Sequence, residues 1–222
     1  MRLVIFDLDG TLIDSEALIV ETVTQSFADV GQSVPDHKTI RSISGITLDD
    51  AMKILAPDAD AQRVAAIAAA YRTRYRAQAG MAREPLFAGA REALDQLQDD
   101  PETILAVATG KGYSGAVTLL ERHGIVGRFN SIQTPTHNRG KPDPQMIEVA
   151  MDKAGVGRER TVMIGDTVHD MRMAKAAGVQ AIGVAWGYHE VDELRAAGAD
   201  AVIDRFDQLA GAIDELVGAA HA

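Results

Sequence analysis

Short apolar, β-branched runs that alternate with longer stretches of helical period constrain this chain more than any other feature. The runs lie at residues 3–6, 104–108, 162–164, 181–185 and 201–203, with a weaker one at 131–133. Each is apolar at successive positions, which predicts strands covered on both faces in a parallel sheet. Helical patterns occupy residues 89–98, 112–123, 144–154, 169–177 and 206–217, and Gly124 and Gly178 stand where helix C-caps belong. Alternation of this kind predicts an α/β fold with a doubly wound parallel sheet. One segment breaks the rhythm: residues 14–86 carry helical patterns only, at 16–30, at 60–78 and in a shorter piece after Thr47. Roughly 70 residues of helix is too long for an ordinary connection. The expected organisation is therefore a core of residues 1–13 and 87–222 with an all-helical cap subdomain, residues 14–86, inserted after the first strand.

Composition narrows the chemistry. The chain of 222 residues contains no cysteine, which excludes disulfide scaffolds, zinc–thiolate sites, iron–sulfur clusters and cysteine nucleophiles. Its net charge of -10 argues against nucleic acid or an anionic membrane as a partner of a broad basic surface. The apolar runs are far shorter than the ~18 residues of a membrane span, and the N-terminal residues lack the pattern of a signal peptide. The expectation is a soluble cytoplasmic enzyme.

The candidate chemistry gathers at strand ends. The first run ends in Asp7-Leu8-Asp9-Gly10-Thr11-Leu12, which puts two carboxylates at the carboxyl end of a parallel strand, where ligands collect in such sheets. Two such groups converging on one point repel each other unless a cation or a proton lies between them. The plainer account is a turn or helix-cap pair followed by a turn glycine. Gly165-Asp166 ends another strand in the same way, with Asp170 four residues on near a helix start, where an aspartate is ordinary. Asp7, Asp9 and Asp166 together form an all-oxygen set suited to Mg²⁺. Thr109 and Gly110 follow the second strand at the start of a helix, an anion cradle. Lys141 sits in a proline-held turn ahead of another helix, where its ammonium would neutralise a phosphate or orient an aspartate.

Asp7-Leu8-Asp9-Gly10-Thr11-Leu12, Thr109 after an apolar strand, Gly140-Lys141-Pro142 and Gly165-Asp166 with Asp170 resemble, in order, the four motifs of the haloacid dehalogenase superfamily. The helical insertion resembles that family's cap, and Ala185-Trp186-Gly187-Tyr188 resembles its phosphoglycolate phosphatase-type members. The chain is also similar to the β-phosphoglucomutase type. The resemblance implies hydrolysis of a small phosphorylated metabolite through an aspartyl-phosphate on Asp7, with Asp9 as general acid and base. It implies Mg²⁺ held by the side chains of Asp7 and Asp166 and the backbone carbonyl of Asp9, with Asp170 orienting from behind. Thr109, Gly110 and Lys141 would bind the phosphate. Asp9 itself sorts the chemistry, since phosphonate-cleaving and dehalogenating members of the family do without that acid.

The segment at residues 40–47 sits between helical patterns and resembles the family's cap specificity loop, which makes Arg41 and Gly45 candidates for substrate contact. Lys111, after Gly110, is a third candidate at the cap interface. Arg72, Arg74 and Arg76 would meet a second anionic group, or else form a solvated helix face; Trp186 and Tyr188 read as packing, with pocket lining as the alternative. Three rivals remain. Gly110-x-Gly112-x-x-Gly115 matches a dinucleotide-binding fingerprint, but residues 122–142 hold no Asp or Glu to take the ribose. A receiver-like signalling domain would leave Asp9 and Lys141 without a task. A phosphomutase would share every core motif with a phosphatase.

Overall fold

A computed structural model describes residues 1–80 and 82–218 of the chain; residue 81 of the expected cap and residues 219–222 of the expected core lie outside the described residues. Six strands, β1 (Arg2–Phe6), β2 (Thr103–Ala108), β3 (Ser131–Gln133), β4 (Thr161–Gly165), β5 (Gln180–Val184) and β6 (Ala201–Ile203), form one sheet in the order β3-β2-β1-β4-β5-β6. Every neighbouring pair is parallel. All five residues of β1 are buried. Its odd and even positions serve different layers, as the period of two along a strand demands.

Val4 and Phe6 join Val107, Ile164, Ile182 and Ile203 under helices α5 (Ala90–Gln98), α6 (Tyr113–Arg122) and α10 (Leu209–Val217). On the opposite face, Leu3, Ile5, Met163 and Ala181 pack against α7 (Gln145–Ala154), α8 (Val168–Ala177) and Leu194 of α9 (Val191–Ala196). Each fully buried aliphatic or aromatic side chain contributes about 1.5–3 kcal/mol, so the two layers explain why these runs read as unbroken apolar sequence. The doubly wound sheet is thus present, with β1 at its centre.

The stretch between β1 and α5 forms α1 (Glu16–Asp29), α2 (His37–Ser42), α3 (Leu48–Leu55) and α4 (Ala61–Gln78). These helices carry a hydrophobic cluster of their own, built on Val23, Phe27, Ile40, Met52, Leu55 and Ile67. The two connections run side by side: Asp14 N donates to Pro85 O at 2.8 Å and Phe87 N to Leu12 O at 3.0 Å. The sequence pattern missed α2 and α9, each six residues long and too short to show a helical period. The segment at residues 40–47 is accordingly not wholly a loop, since its first three residues complete α2. Among the described residues no helix is long and apolar enough to cross a membrane.

Candidate active site

The sheet changes winding direction at β1, because β2 and β3 lie to one side and β4 to β6 to the other. Ligands in open α/β sheets bind beyond the carboxyl ends of the strands at such a point. Asp7 follows β1 there and is 1% exposed. Its backbone N–H donates to Ile164 O at 2.9 Å, and its Oδ1 accepts from Leu8 N at 2.7 Å. The other oxygen, Oδ2, lies 2.8 Å from Lys141 Nζ.

Lys141 is held by a tight turn ahead of α7. Asp143 N donates to Gly140 O at 3.0 Å, Arg139 N to Gln145 Oε1 at 2.7 Å, and Gln145 N to Asp143 Oδ1 at 3.0 Å. The ammonium bridges two carboxylates, Asp7 and, at 2.6 Å, Asp170 Oδ1. The second Asp170 oxygen accepts from Thr167 N and Oγ1 at 3.1 and 2.6 Å, closing the capping box that starts α8. Asp170 therefore does two jobs at once, capping a helix and pinning Lys141. Asp166, fully buried at the end of β4, accepts from Thr11 Oγ1 at 2.8 Å and from Tyr188 N at 2.9 Å. A side chain at Gly187 would collide with Asp166, which accounts for glycine in the Trp186-Gly187-Tyr188 run.

Carboxylate oxygens of Asp7, Asp166 and Asp170 all lie within 4.8 Å of one another, and the Lys141 ammonium pairs with two of the three, Asp7 and Asp170. Burial pushes the Asp7 carboxyl up to about 7; Lys141 pulls it down, while Asp170 and Asp9 add to the rise. Burial, with Asp170 and Asp7 beside it, also holds Asp166 well above the usual carboxylate range. Burial works against the charge on Lys141, yet Asp170 and Asp7 keep it above its ordinary value. A buried excess of negative charge with all-oxygen donors fits a hard divalent cation. The three carboxylates brought together include Asp170 and not Asp9.

Asp9 points elsewhere. Its Oδ1 accepts from Ser15 Oγ at 2.8 Å, and its Oδ2 lies 3.2 Å from Lys111 Nζ. Ser15 Oγ is also 3.1 Å from the Tyr188 hydroxyl. Lys111 donates to the hydroxyl of Tyr75 on α4 at 2.7 Å and lies 4.5 Å from the centre of that ring. The Tyr75 hydroxyl in turn donates to Glu84, a buried carboxylate with Arg122 Nη1 at 3.6 Å. Burial opposes the charge on Lys111, but Asp9, Tyr71 and Glu84 together raise its pKa.

Asp7, Asp9, Thr109, Gly110 and Lys111 share one cavity of about 450 Å³ with residues of α1, α3, α4 and the α2–α3 loop. Thr109 is buried, and its Oγ1 accepts from Lys111 N at 3.2 Å, leaving its hydroxyl proton to donate elsewhere. The α2–α3 loop closes onto this rim: a methyl group at Gly110 would lie 2.6 Å from Gly45 O and 2.7 Å from Ile46 O. Gly45 lines the cavity, whereas Arg41 does not. Arg41 instead donates to Gly187 O at 3.0 Å and pairs with Glu16 at 3.4 Å, because α2 packs over the loop after β5. Of the three arginines near the end of α4, Arg74 turns outward to Asp29, while Arg72 and Arg76 line the cavity.

Residues 4–184 match the family described as haloacid dehalogenase-like hydrolase. The chain belongs to that family. It is 39% identical over 224 residues to a protein named "Probable phosphatase IndB" from Dickeya dadantii, covering 99% of this chain and 94% of the relative. It is 32% identical over 218 residues to a phosphoglycolate phosphatase of Agrobacterium fabrum, covering 96% and 92%. Among solved structures, a "predicted phosphatase" from Clostridium acetobutylicum superposes with a TM-score of 0.86 at 27% identity, over 97% of this chain and 99% of the other. Family and relatives together make this chain an enzyme of the phosphatase class.

The sequence assigns no role to Thr11, Ser15, Tyr75 or Glu84, and leaves Tyr188 between packing and pocket lining. Thr11 and Ser15 flank the aspartate motif, so their hydroxyls were available as a signal. Tyr75 and Glu84 carry none, since both reach the site only through the fold.

Proposed function

We propose that this enzyme hydrolyses a small phosphomonoester through an aspartyl-phosphate on Asp7. The observation that carries the reading is the unlike treatment of two aspartates in one cavity. Asp7 is buried and clamped by Lys141, whereas Asp9 is partly open and held by Ser15 and Lys111. Carboxylates in contrasting surroundings take contrasting roles.

An Asp7 carboxylate oxygen attacks phosphorus, and the bond from phosphorus to the ester oxygen breaks. Asp9 gives its proton to that oxygen, so the alcohol leaves neutral. Asp9 then takes a proton from a water that attacks the phosphorus of the aspartyl-phosphate. The bond to Asp7 breaks, which frees inorganic phosphate and restores the carboxylate. Lys141, fixed between Asp7 and Asp170, keeps the nucleophile in line, and its charge favours phosphate in the cavity. The Thr109 hydroxyl and the Gly110 backbone bind phosphoryl oxygens.

The side chains of Asp7 and Asp166 would hold Mg²⁺ with the backbone carbonyl of Asp9, and Asp170 would orient the set through Lys141. When bound, the cation supplies the positive charge that offsets repulsion between the carboxylates and an incoming phosphate. The test is phosphate release from a panel of phosphomonoesters with Mg²⁺ and then with EDTA. Release that EDTA abolishes supports the reading. Retention of phosphate on the protein with transfer to a second hydroxyl, in place of release to water, would replace it with a phosphomutase.

A further inference from the structure

The same cavity says something about the alcohol. Beside Asp7 and Asp9 the cavity is lined by Ile19, Ile46, Leu48, Met52, Tyr71 and Tyr75, from α1, the α2–α3 loop, α3 and α4, together with the polar Ser44, Thr47 and Asp49. Tyr71 and Tyr75, four residues apart on α4, stack with ring centres 5.6 Å apart and 22° between planes, giving one wall a continuous aromatic surface. The cations that line the cavity are largely matched already. Lys111 pairs with Asp9 at 3.2 Å and Arg72 with Asp49 at 2.7 Å, while Arg76 is exposed to solvent. A substrate carboxylate drawn into this space would lose its water against aliphatic and aromatic walls and find no unmatched cation buried there. An apolar body would instead remove the half-buried faces of Ile19, Ile46, Leu48 and Tyr71 from water.

We infer that the cavity selects a phosphomonoester whose alcohol carries an uncharged, ring-sized apolar body, and that it discriminates against phosphoglycolate. This rests on the phosphatase reading and assigns its substrate class. The volume of about 450 Å³ is within the range of small-molecule sites and far exceeds what a two-carbon acid would fill. An unfilled apolar space contributes nothing to binding, so a two-carbon ester would depend on its phosphate alone.

The experiment compares kcat/KM for ethyl phosphate, benzyl phosphate and phosphoglycolate, each with saturating Mg²⁺. Ethanol and benzyl alcohol are leaving groups of similar basicity, so the benzyl-to-ethyl ratio reports the fit of the ring. Benzyl phosphate is expected to exceed each of the other two by at least about tenfold, chiefly through KM. In Tyr71→Ala, and independently in the milder Ile19→Ala, the benzyl-to-ethyl ratio should fall toward one, with folding checked by circular dichroism. Phosphoglycolate turned over as efficiently as benzyl phosphate would overturn the inference and leave the phosphatase standing. So would a ring preference that survives in both variants. Hydrolysis of none of the three, with other phosphomonoesters still hydrolysed, would overturn the inference and leave the phosphatase standing; release from no phosphomonoester of a wider panel would remove the proposed hydrolysis, and the inference with it.

Discussion

Two arrays of charge meet at the carboxyl end of β1, and they are built in opposite ways. The floor of the site, Asp7, Lys141, Asp166 and Asp170, belongs entirely to the α/β core: Asp7 and Asp166 leave strands, Lys141 precedes α7 by a few residues, and Asp170 lies in the first turn of α8. The wall, Asp9, Lys111, Tyr75 and Glu84, spans the boundary between core and helical insertion. Every link of the floor is buried and fixed by regular structure. The wall depends on α4 lying against the loop after β2, where Lys111 meets Tyr75. A floor held within one set of elements and a wall shared between two suit the proposed division of labour, in which Asp7 attacks phosphorus and Asp9 moves the proton.

The largest expected effect tests the floor. Asp7→Asn keeps the shape and the Leu8 hydrogen bond but removes the nucleophile, so kcat should fall by about 10⁴-fold or more with the fold retained. Phosphate release in Mg²⁺ and a circular dichroism spectrum check it. Turnover near that of the unsubstituted enzyme would mean that Asp7 is only a structural partner of Lys141, and the contrast with Asp9 would collapse.

The next prediction separates the arrays by pH. The Asp7 carboxyl, raised by burial from 3.8 to about 7, holds its proton in the folded metal-free protein across a range where the unfolded chain has lost it. Its contribution to stability is complete below about pH 4 and is lost as the pH rises through about 7. Asp166 shifts the same way, also through burial. Glu21, Asp29, Asp36 and Asp50 shift downward, mainly through hydrogen bonds, so their contributions are lost only at more acid pH. In EDTA the Tm should therefore fall between pH 5 and pH 8, and the rise in Tm on adding Mg²⁺ should be larger at pH 8, where the carboxylates are ionised for it. Asp7→Asn should recover on the order of a few degrees at pH 8 in EDTA. A metal-induced rise that is equal at both pH values would show that the floor carries no strained proton.

The unlike construction of the two arrays also explains what the sequence could and could not disclose. Asp7, Thr109 and Asp166 stand at the ends of apolar runs, and Lys141 precedes a helix, so the hydrophobic pattern that locates the sheet also locates the floor. The run of helices between β1 and α5 was legible as an interruption of that pattern. Its partners across the boundary were not. Tyr75 lies on an alanine-rich helix whose buried residues are only Ile67 and Ala68, a face too weak to show which side meets the core. Glu84 follows that helix in a connection with no periodic signal, yet it is 1% exposed because Tyr75, Arg122 and, through its carbonyl, His123 converge on it. Arg41 shows the converse: its position in the α2–α3 segment pointed to substrate, while packing of α2 turns it to Gly187 and Glu16.

The smallest effect probes the wall alone. Tyr75→Phe retains the ring beneath Lys111 and the stack with Tyr71, and deletes only the hydroxyl that joins Lys111 to Glu84. Asp9 keeps both Ser15 and Lys111, so catalysis should continue with kcat lower by about two- to fivefold. The loss of one net hydrogen bond from a buried carboxylate should cost about 1–3 kcal/mol in urea unfolding. The decrease should appear in kcat, with the slope of log kcat against solvent viscosity altered if a closure step has become rate-limiting. A variant with unchanged kcat and unchanged stability would show that the link from Lys111 through Tyr75 to Glu84 is a bystander, and that Ser15 and Lys111 set Asp9 without it.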